Sequence, residues 1–569
     1  MCGIAGVVSA HSRDLGPLLK SMLEAQHHRG PDGAGIVVGR VCQRRGSIGR
    51  INFANQRGTA GLGHVRLAIT GSSEGIQPFA SADGKLHLLH NGEIYNFREL
   101  WRDLKGPAPL VTGSDSEVLC RLIEDVYSGD LVAAVEKVLP HLDGVYALAV
   151  TDGDMTVIAR DRIGVRQLYT AELGDLVAFA SEKKALRAVF GEQARIRRLL
   201  PGHMLIMRPG HTEPRRFWQP NRPAADPALA SPRSAINRYA RLIDEAVRKR
   251  VRGQPRVGVI YSGGVDSFLI AHLVQRTGVP FTCYTAGLSE SASDVVWARR
   301  TAEEHGFPLH VSMLTVESIE AMLPEVMHTI EDHSLNQVEV ALPVFASIRA
   351  AQEAGERVIL NGQGADELFG GYPWYSSIVD REGYDEFVDR SWEDTFLLYK
   401  ECLEREDKIS MAHSLELRVP FLDPAVIDVA FAIAPELKVQ RGGDAVRKRV
   451  HRAASIALGV PEDVAFRAKE AAQHGANVHD AFAEIARRHD MSPGVLEDTG
   501  YDPGRSVTEK LGSSSRYGFR YGDAGLWEPP AHVQCYLDGI AAGIGLLTGD
   551  ARDNWAAVAA SVGPAATQE

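Results

Sequence analysis

The chain has 569 residues, too many for one hydrophobic core, so at least two domains are expected. With 44% hydrophobic and 24% charged residues it falls among ordinary globular proteins, and a formal net charge of -11 argues against a nucleic-acid partner. Six cysteines, at positions 2, 42, 120, 283, 402 and 535, form no CxxC pair, which speaks against a zinc knuckle or redox couple and for thiols in a reducing cytoplasm. No uninterrupted apolar run of about 18 residues marks a membrane span. The start MCGIAGVVSA lacks the charged region and long apolar run of a signal peptide.

In chain order, the first 210 or so residues read as β-rich. Short apolar runs at 3–8, 35–38, 86–89, 145–150 and 156–159 are punctuated by Gly and Asp turns. Helical patterns interrupt them at 15–27 and 116–127, the second with Ser114 and Asp115 as cap candidates. Strands in two groups with helices between them predict a layered sandwich. Residues 214–232 are Pro-rich with weak periodicity and read as a linker. Beyond them strand and helix alternate: a helix at 232–251, a strand at 257–261, a helix at 267–277, then strands at 281–285, 309–312 and 357–360 separated by helices. That pattern predicts a parallel sheet with helical crossovers, binding ligands beyond its strands' carboxyl ends. From about 384 to 489 the chain reads helical, and the remainder carries no specific signal.

Cys2 is the first residue with chemical content. Methionine is normally trimmed before a small second residue, which would leave Cys2 with a free α-amino group. That amine, with a reference pKa near 7.7–8.0, can act as general base for its own thiol. A lone Cys2 would more simply be a small apolar residue at a strand start. It is followed in order by HRGPDG at 28–33, GHVRLAI at 63–69, NGEIYN at 91–96, GSDSE at 113–117 and ARDRIGVRQLY at 159–169. With these motifs the first 210 residues resemble the class II glutaminase domain of amidotransferases, an N-terminal-nucleophile hydrolase with a four-layer αββα sandwich.

The resemblance implies a role for each motif. Attack on a glutamine side-chain amide creates an oxyanion, which requires preorganised donors; Asn91 and the Gly92 N–H carry over as these. Taken alone, Asn91-Gly92 also reads as a hairpin turn. Arg66 matches the clamp for glutamine's α-carboxylate, and Glu93 and Asp115 match the groups that hold its α-ammonium.

SGGVDS at 262–267 lies between an apolar strand and a helix. Small residues there let backbone N–H groups turn onto phosphate oxygens, and the helix N-terminus adds positive potential. No Lys follows the glycines at Walker A spacing. The segment resembles the PP-loop of ATP pyrophosphatases, which form adenylates and release pyrophosphate. On that resemblance Tyr261, Ser262, Gly263, Gly264, Asp266, Ser267, Ala286, Asn361 and Gly362 line an ATP site. Asp266 and Asp366, the latter within NGQGADELFGGY at 361–372, would hold Mg²⁺, which favours carboxylates together with substrate phosphates. KISMAHSLELRVPFLD at 408–423 and RAKEAAQHG at 467–475 complete a resemblance to asparagine synthetases, with Lys469 as the cation facing the developing acyl-phosphate charge.

The implied organisation is a glutaminase domain (2–213), a linker (214–232), an adenylating PP-loop domain with a helical extension (233–485) and a C-terminal extension (486–569). The implied partners are glutamine, ATP with Mg²⁺, and a carboxylate acceptor, aspartate or another acid, with no nucleic acid and no membrane. A homodimer is left open. Two departures bear on the acceptor. Gln363 stands where the family carries a catalytic Glu, and Gln is neutral. Asn336 and Glu339 stand where the family has a Thr and an Arg, and Glu339 would repel an acceptor carboxylate rather than hold it. These departures set an amidotransferase of a specialised-metabolite pathway beside asparagine synthetase itself. A non-catalytic module is disfavoured by the retention of Cys2, Asp266 and Lys469.

Overall fold

The structure is a computed structural model. It describes all residues except 1, 73, 105–109, 192–193, 498, 507–528 and 563–569, and the side chains of 557 and 560–562. The chain forms two compact units: Met1–Asn221 with Cys402–Glu416, and Arg222–Glu401 with Leu417–Glu569.

In the first unit two antiparallel sheets, of seven and six strands, stack face to face. Strand Cys2–Asp14 lies within the seven-stranded sheet, between Leu176–Ala180 and Arg57–Arg66. Strand His87–Ile94 in the other sheet pairs with Gly144–Thr151. Alternation along strands places Ile4, Leu62, Leu89, Ala147 and Phe179 in the layer between the sheets. The outer faces are covered separately. Helices Gly16–Ala25 and Lys183–Phe190 pack on the first sheet, and Asp115–Val126 and Leu131–Val138 on the second. The expected αββα sandwich is therefore present. Ser114 caps its helix through a side-chain acceptor for the Ser116 N–H.

The second unit carries a five-stranded sheet ordered Leu309–Met313, Phe281–Gly287, Val257–Ile260, Val358–Leu360, Glu416–Arg418. The first four are parallel, as the βαβ alternation requires. Helix Pro232–Val251 opens the unit with Pro at its first turn, where the missing N–H costs nothing.

The domain boundaries differ from expectation in two places. Strand His211–Arg216 pairs with His203–Arg208, so the first unit runs past 213; Pro214 is tolerated because that strand is an edge. More consequentially, Cys402–Glu416 belongs to the first unit, although it is embedded in the sequence of the second. Its helix Leu403–Ala412 is buried on nearly every side and carries ion pairs where apolar residues would be expected. Asp407 accepts from Arg29 at 2.9 Å and Arg166 at 3.2 Å, and Glu404 meets Arg198, Lys183 and Lys408. A local pattern could not reveal this, because a buried charge looks like a surface charge until its partner is known.

Removing Asp407 leaves two buried guanidinium groups short of a counter-charge. Asp407→Ala is expected to cost about 3 kcal/mol or more, with Asp407→Asn losing less. Differential scanning calorimetry checks this, and a wild-type melting profile for Asp407→Ala would refute it.

Candidate active sites

The first site begins with register. Cys2 lies directly opposite Arg66 across the strand pair. The Cys2 nitrogen donates to Asn91 Oδ1 at 3.0 Å, and Arg29 Nε donates to the Cys2 carbonyl at 3.1 Å. With Oδ1 so occupied, Asn91 Nδ2 is fully buried and has no partner among the described residues. An orphaned buried N–H is costly, and it is the feature expected of a donor held ready for a developing oxyanion. Asn91-Gly92 is not a hairpin turn. It lies mid-strand, opposite Ala147 and Tyr146, and a Cβ on Gly92 would fall 2.1 Å from the Val145 carbonyl oxygen.

Residues 91 and 93 lie on one face of the strand, so Glu93 shares the side that Asn91 presents to Cys2. Asp115 sits at a helix start, accepting Ser116 N at 2.8 Å and Ile94 N at 2.9 Å, which ties it to the residue after Glu93. Arg66 Nη2 donates to the Ser72 carbonyl at 2.7 Å. The structure thus assembles Cys2, Arg66, Asn91, Gly92, Glu93 and Asp115 around one strand end. Burial raises the Cys2 thiol's pKa against the pull of the Leu67 amide and Arg66, so the thiol needs a base before it attacks. Arg29, its partners Glu182 and Asp407, and Arg166 support this site and carried no separate signal in the sequence beyond their motifs.

The second site lies where adjacent parallel strands end. Ser262 follows Val257–Ile260, Ala286 closes Phe281–Gly287, and Asn361 follows Val358–Leu360, so three distant sequence segments meet at one sheet edge. Ser267 Oγ accepts from Ser262 N at 3.2 Å, rounding the loop, and Gly263 has φ +70 with no room for a Cβ against Trp297. The Gly362 Cα faces Asp266, its added Cβ meeting the Asp266 Cβ at 3.0 Å. The Tyr261 ring does not reach the loop's ligand side. It is buried on Phe268 and Phe307 with its hydroxyl on Thr301 at 2.6 Å, so Tyr261 can offer a nucleotide only its main chain.

Asp266 and Asp366 converge on Lys448 Nζ, each at 2.7 Å, and Lys469 Nζ lies 3.1 Å from Asp366. At 2.7 Å one such pair is worth about 6 kcal/mol of gross attraction at an effective dielectric near 20. Burial alone would raise both carboxyls; Lys448 outweighs it, with His451 helping at Asp266, and both stay ionised. Burial would likewise lower Lys469, but Asp366 and Asp266 hold it protonated. Gly371 makes the cluster fit: a Cβ there would lie 1.8 Å from the Asp366 carboxylate. Around this core, His451 bridges Asp266 and Tyr239, and Arg467 joins the Ser262 carbonyl to Asp294. Burial and then Asp366 push Glu367 up to about 7. Lys448, His451, Arg467 and Glu367 were missed in the sequence. Arg467 and Glu367 could have been suspected, since they lie within the motifs at 467–475 and 361–372, whereas Lys448 and His451 lie outside every motif.

Among the described residues no cluster of three or more His, Cys, Asp or Glu is placed to hold a metal. Two hard oxygen donors facing each other across Lys448 nonetheless suit a Mg²⁺ that takes its remaining ligands from phosphate and water.

On the acceptor side Gln363 is half-buried, its N–H on Asn361 Oδ1 at 3.2 Å. Glu339 is buried in helix Leu335–Glu353, but its charge is matched: His479 Nδ1 lies 2.6 Å from Glu339 Oε2. The hydrogen bond to Glu339 raises the His479 pKa, which favours the protonated ring and its pairing with the carboxylate. The expected repulsion of an acceptor carboxylate by Glu339 is correspondingly weakened.

These two sites match two families. Residues 1–199 match the glutamine amidotransferase domain model, and residues 238–389 and 379–516 match the asparagine synthase model. A putative glutamine-hydrolysing asparagine synthetase from Methanocaldococcus jannaschii is 30% identical over 548 residues, covering 86% of this chain and 96% of its own. A probable asparagine synthetase from Schizosaccharomyces pombe is 29% identical over 505 residues, covering 83% and 84% respectively. The chain belongs to the glutamine-hydrolysing asparagine synthetase family. No helix among the described residues is long and apolar enough to cross a membrane.

Two expectations follow. Asn91→Ala should lower kcat for glutamine hydrolysis about 10²–10³-fold with little change in KM, because its free amide acts on the transition state; steady-state hydrolysis assays check this. The His479–Glu339 attraction stabilises the fold fully below the ordinary histidine value and fades as pH rises through the raised one. Stability measured against pH should therefore fall across that window in the wild type and be flatter in His479→Gln.

Proposed function

We propose that this chain uses ATP to adenylate a carboxylic acid and converts it to an amide with ammonia released from glutamine. The observation that carries this reading is the pairing of two complete sites in one chain. One has Cys2 beside a buried amide with no partner among the described residues; the other has the glycine-containing loop at Ser262–Ser267 with two carboxylates and two lysines.

In the first site the Cys2 amine, freed of Met1, takes the thiol proton. Sulfur then attacks the glutamine side-chain carbonyl, and Asn91 Nδ2 and the Gly92 N–H receive the oxyanion. Arg66 holds the α-carboxylate, and Glu93 and Asp115 the α-ammonium. Ammonia leaves, and water releases glutamate from the thioester. In the second site the loop at Ser262–Ser267 receives the phosphates, with Lys448 and Lys469 opposite their negative charge. Asp266 and Asp366 would hold Mg²⁺, which supplies charge neutralisation at the polyphosphate. The acceptor carboxylate displaces pyrophosphate from the α-phosphorus, and ammonia then displaces AMP from the acyl carbon.

Aspartate is the acceptor this reading favours, since Glu339 is engaged by His479 at 2.6 Å and is not a bare carboxylate toward the acceptor. A second reading, a larger acid without an α-carboxylate, is favoured by Gln363, which can neither act as a base nor support a cation.

Cys2→Ala should abolish glutamine-dependent turnover while sparing turnover with high ammonium; equal loss with both nitrogen sources would contradict separate sites. Asp266→Asn and Asp366→Asn should each remove acceptor-dependent pyrophosphate release but not glutamine hydrolysis. ATP–pyrophosphate exchange with aspartate against a panel of larger, less charged acids decides the acceptor. Millimolar saturation by aspartate with asparagine formed supports the first reading, and its refusal supports the second.

A further inference from the structure

Helix Leu335–Glu353, which carries Glu339, begins without a side-chain cap from Ser334. Its first N–H is nevertheless satisfied from a remote part of the chain. Gln534 Oε1 accepts from Leu335 N at 3.0 Å, and Gln534 Nε2 donates to the His333 carbonyl at 3.0 Å. A glutamine amide is both donor and acceptor, so one side chain supplies the two partners that the turn into the helix lacks.

Gln534 is itself held. It lies on helix Ala531–Gly543, and its Nε2 also donates to Asp538 Oδ1 at 3.0 Å, one turn along. Asp538 accepts from the Tyr501 hydroxyl at 2.6 Å and from Ser506, and Asn554 binds Ser506 Oγ at 2.7 Å and both main-chain groups of Asp502. His333 faces the same carboxylate, its Nε2 3.6 Å from Asp538 Oδ1. Gln534, Asp538 and His333 are fully buried. A network with this many polar groups contributes little net stability over an apolar core, but it fixes one geometry.

The geometry it fixes bears on Glu339. Leu335 and Glu339 are one helical turn apart, so they lie on the same face. His479, which pairs with Glu339, starts helix His479–Arg488, and that helix also packs on Ala531–Gly543. Two of the three residues before it are tied to the strand-end region, Ala476 O accepting from Leu288 N and Asn477 Nδ2 donating to Ser289 Oγ. Helix Ala531–Gly543 therefore supports both members of the Glu339–His479 pair.

We propose that the C-terminal helix Ala531–Gly543 is a positioning element of the acceptor site: Gln534, through the Leu335 N–H and the His333 carbonyl, sets where Glu339 meets His479 and the acceptor. This rests on the reading of Glu339 as an acceptor-site residue. Gln534 touches no reacting group and acts only through the start of helix Leu335–Glu353.

The test uses the full chain and two readouts. The His479 ring is titrated by NMR with labelled histidine, assigned with His479→Gln, and Glu339→Gln serves as the reference for complete loss of the pair. Gln534→Leu, which keeps the volume and removes both hydrogen bonds, is expected to move the His479 titration toward that reference. In ATP–pyrophosphate exchange it should raise the KM for L-aspartate, or for the acid that the wild-type enzyme selects from the panel, by up to about tenfold. The KM for ATP and the rate of glutamine hydrolysis should not change. Should Gln534→Leu fail to fold, Asp538→Asn, which retains a hydrogen-bonding side chain, is expected to move both readouts in the same direction. A wild-type His479 titration and acceptor KM in a folded variant would overturn the proposal, while a raised acceptor KM in Glu339→Gln would keep the acceptor reading standing. An unchanged acceptor KM in Glu339→Gln itself would sink that reading and the proposal with it.

Discussion

The carboxylate of Asp407, buried between Arg29 and Arg166, is the constraint on which much of the molecule hangs. Two guanidinium groups out of water are tolerable only if a counter-charge is brought to them, and the chain brings it from far along its length. Arg29, so anchored, donates to the carbonyl of Cys2. The stretch that carries Asp407 then runs straight into strand Glu416–Arg418, where the Arg418 carbonyl accepts the Asn361 N–H at 3.2 Å. Asn361 opens the segment that delivers Asp366.

The two sites solve opposite electrostatic problems. On the proposed function, charge at Cys2 would appear only in the transition state, which suits a neutral donor, Asn91 Nδ2, that has no partner among the described residues. At the sheet edge the ligand arrives highly charged, so positive groups must be stored beforehand. Lys448 and Lys469 are stored against Asp266 and Asp366, which keeps every member of the cluster ionised despite burial. Phosphates could then take over the lysines as a cation takes over the carboxylates, with little net change in buried charge.

The acceptor side shows how a single substitution can mislead when read alone. Glu339 in place of an expected cation looks like a reversal of charge. With His479 Nδ1 2.6 Å away it is a hydrogen-bonded carboxylate with a basic partner, not an isolated charge. Gln363 donates its main-chain N–H to Asn361 Oδ1, and its own side chain is neutral whatever its surroundings.

What the sequence determined by itself was chemistry carried in short motifs. Ser262–Ser267 between a strand and a helix is a local arrangement whose geometry follows from backbone rules, and Cys2 and Asn91-Gly92 were legible through the order of the motifs that contain them. Strand and helix alternation likewise sufficed for the parallel sheet, because βαβ units are read from periodicity. The tertiary structure decided everything that depends on long-range partners. It placed residues 402–416 with the first unit, put Asn91-Gly92 in mid-strand rather than in a turn, turned the Tyr261 ring into the core, and set Lys448, His451 and His479 against their carboxylates. It also gave a task to Gln534 in a tail that had no readable pattern. The physical reason is common to all of these. Burial and ion pairing act between atoms brought together by folding, and neither leaves a periodicity or a spacing along the chain.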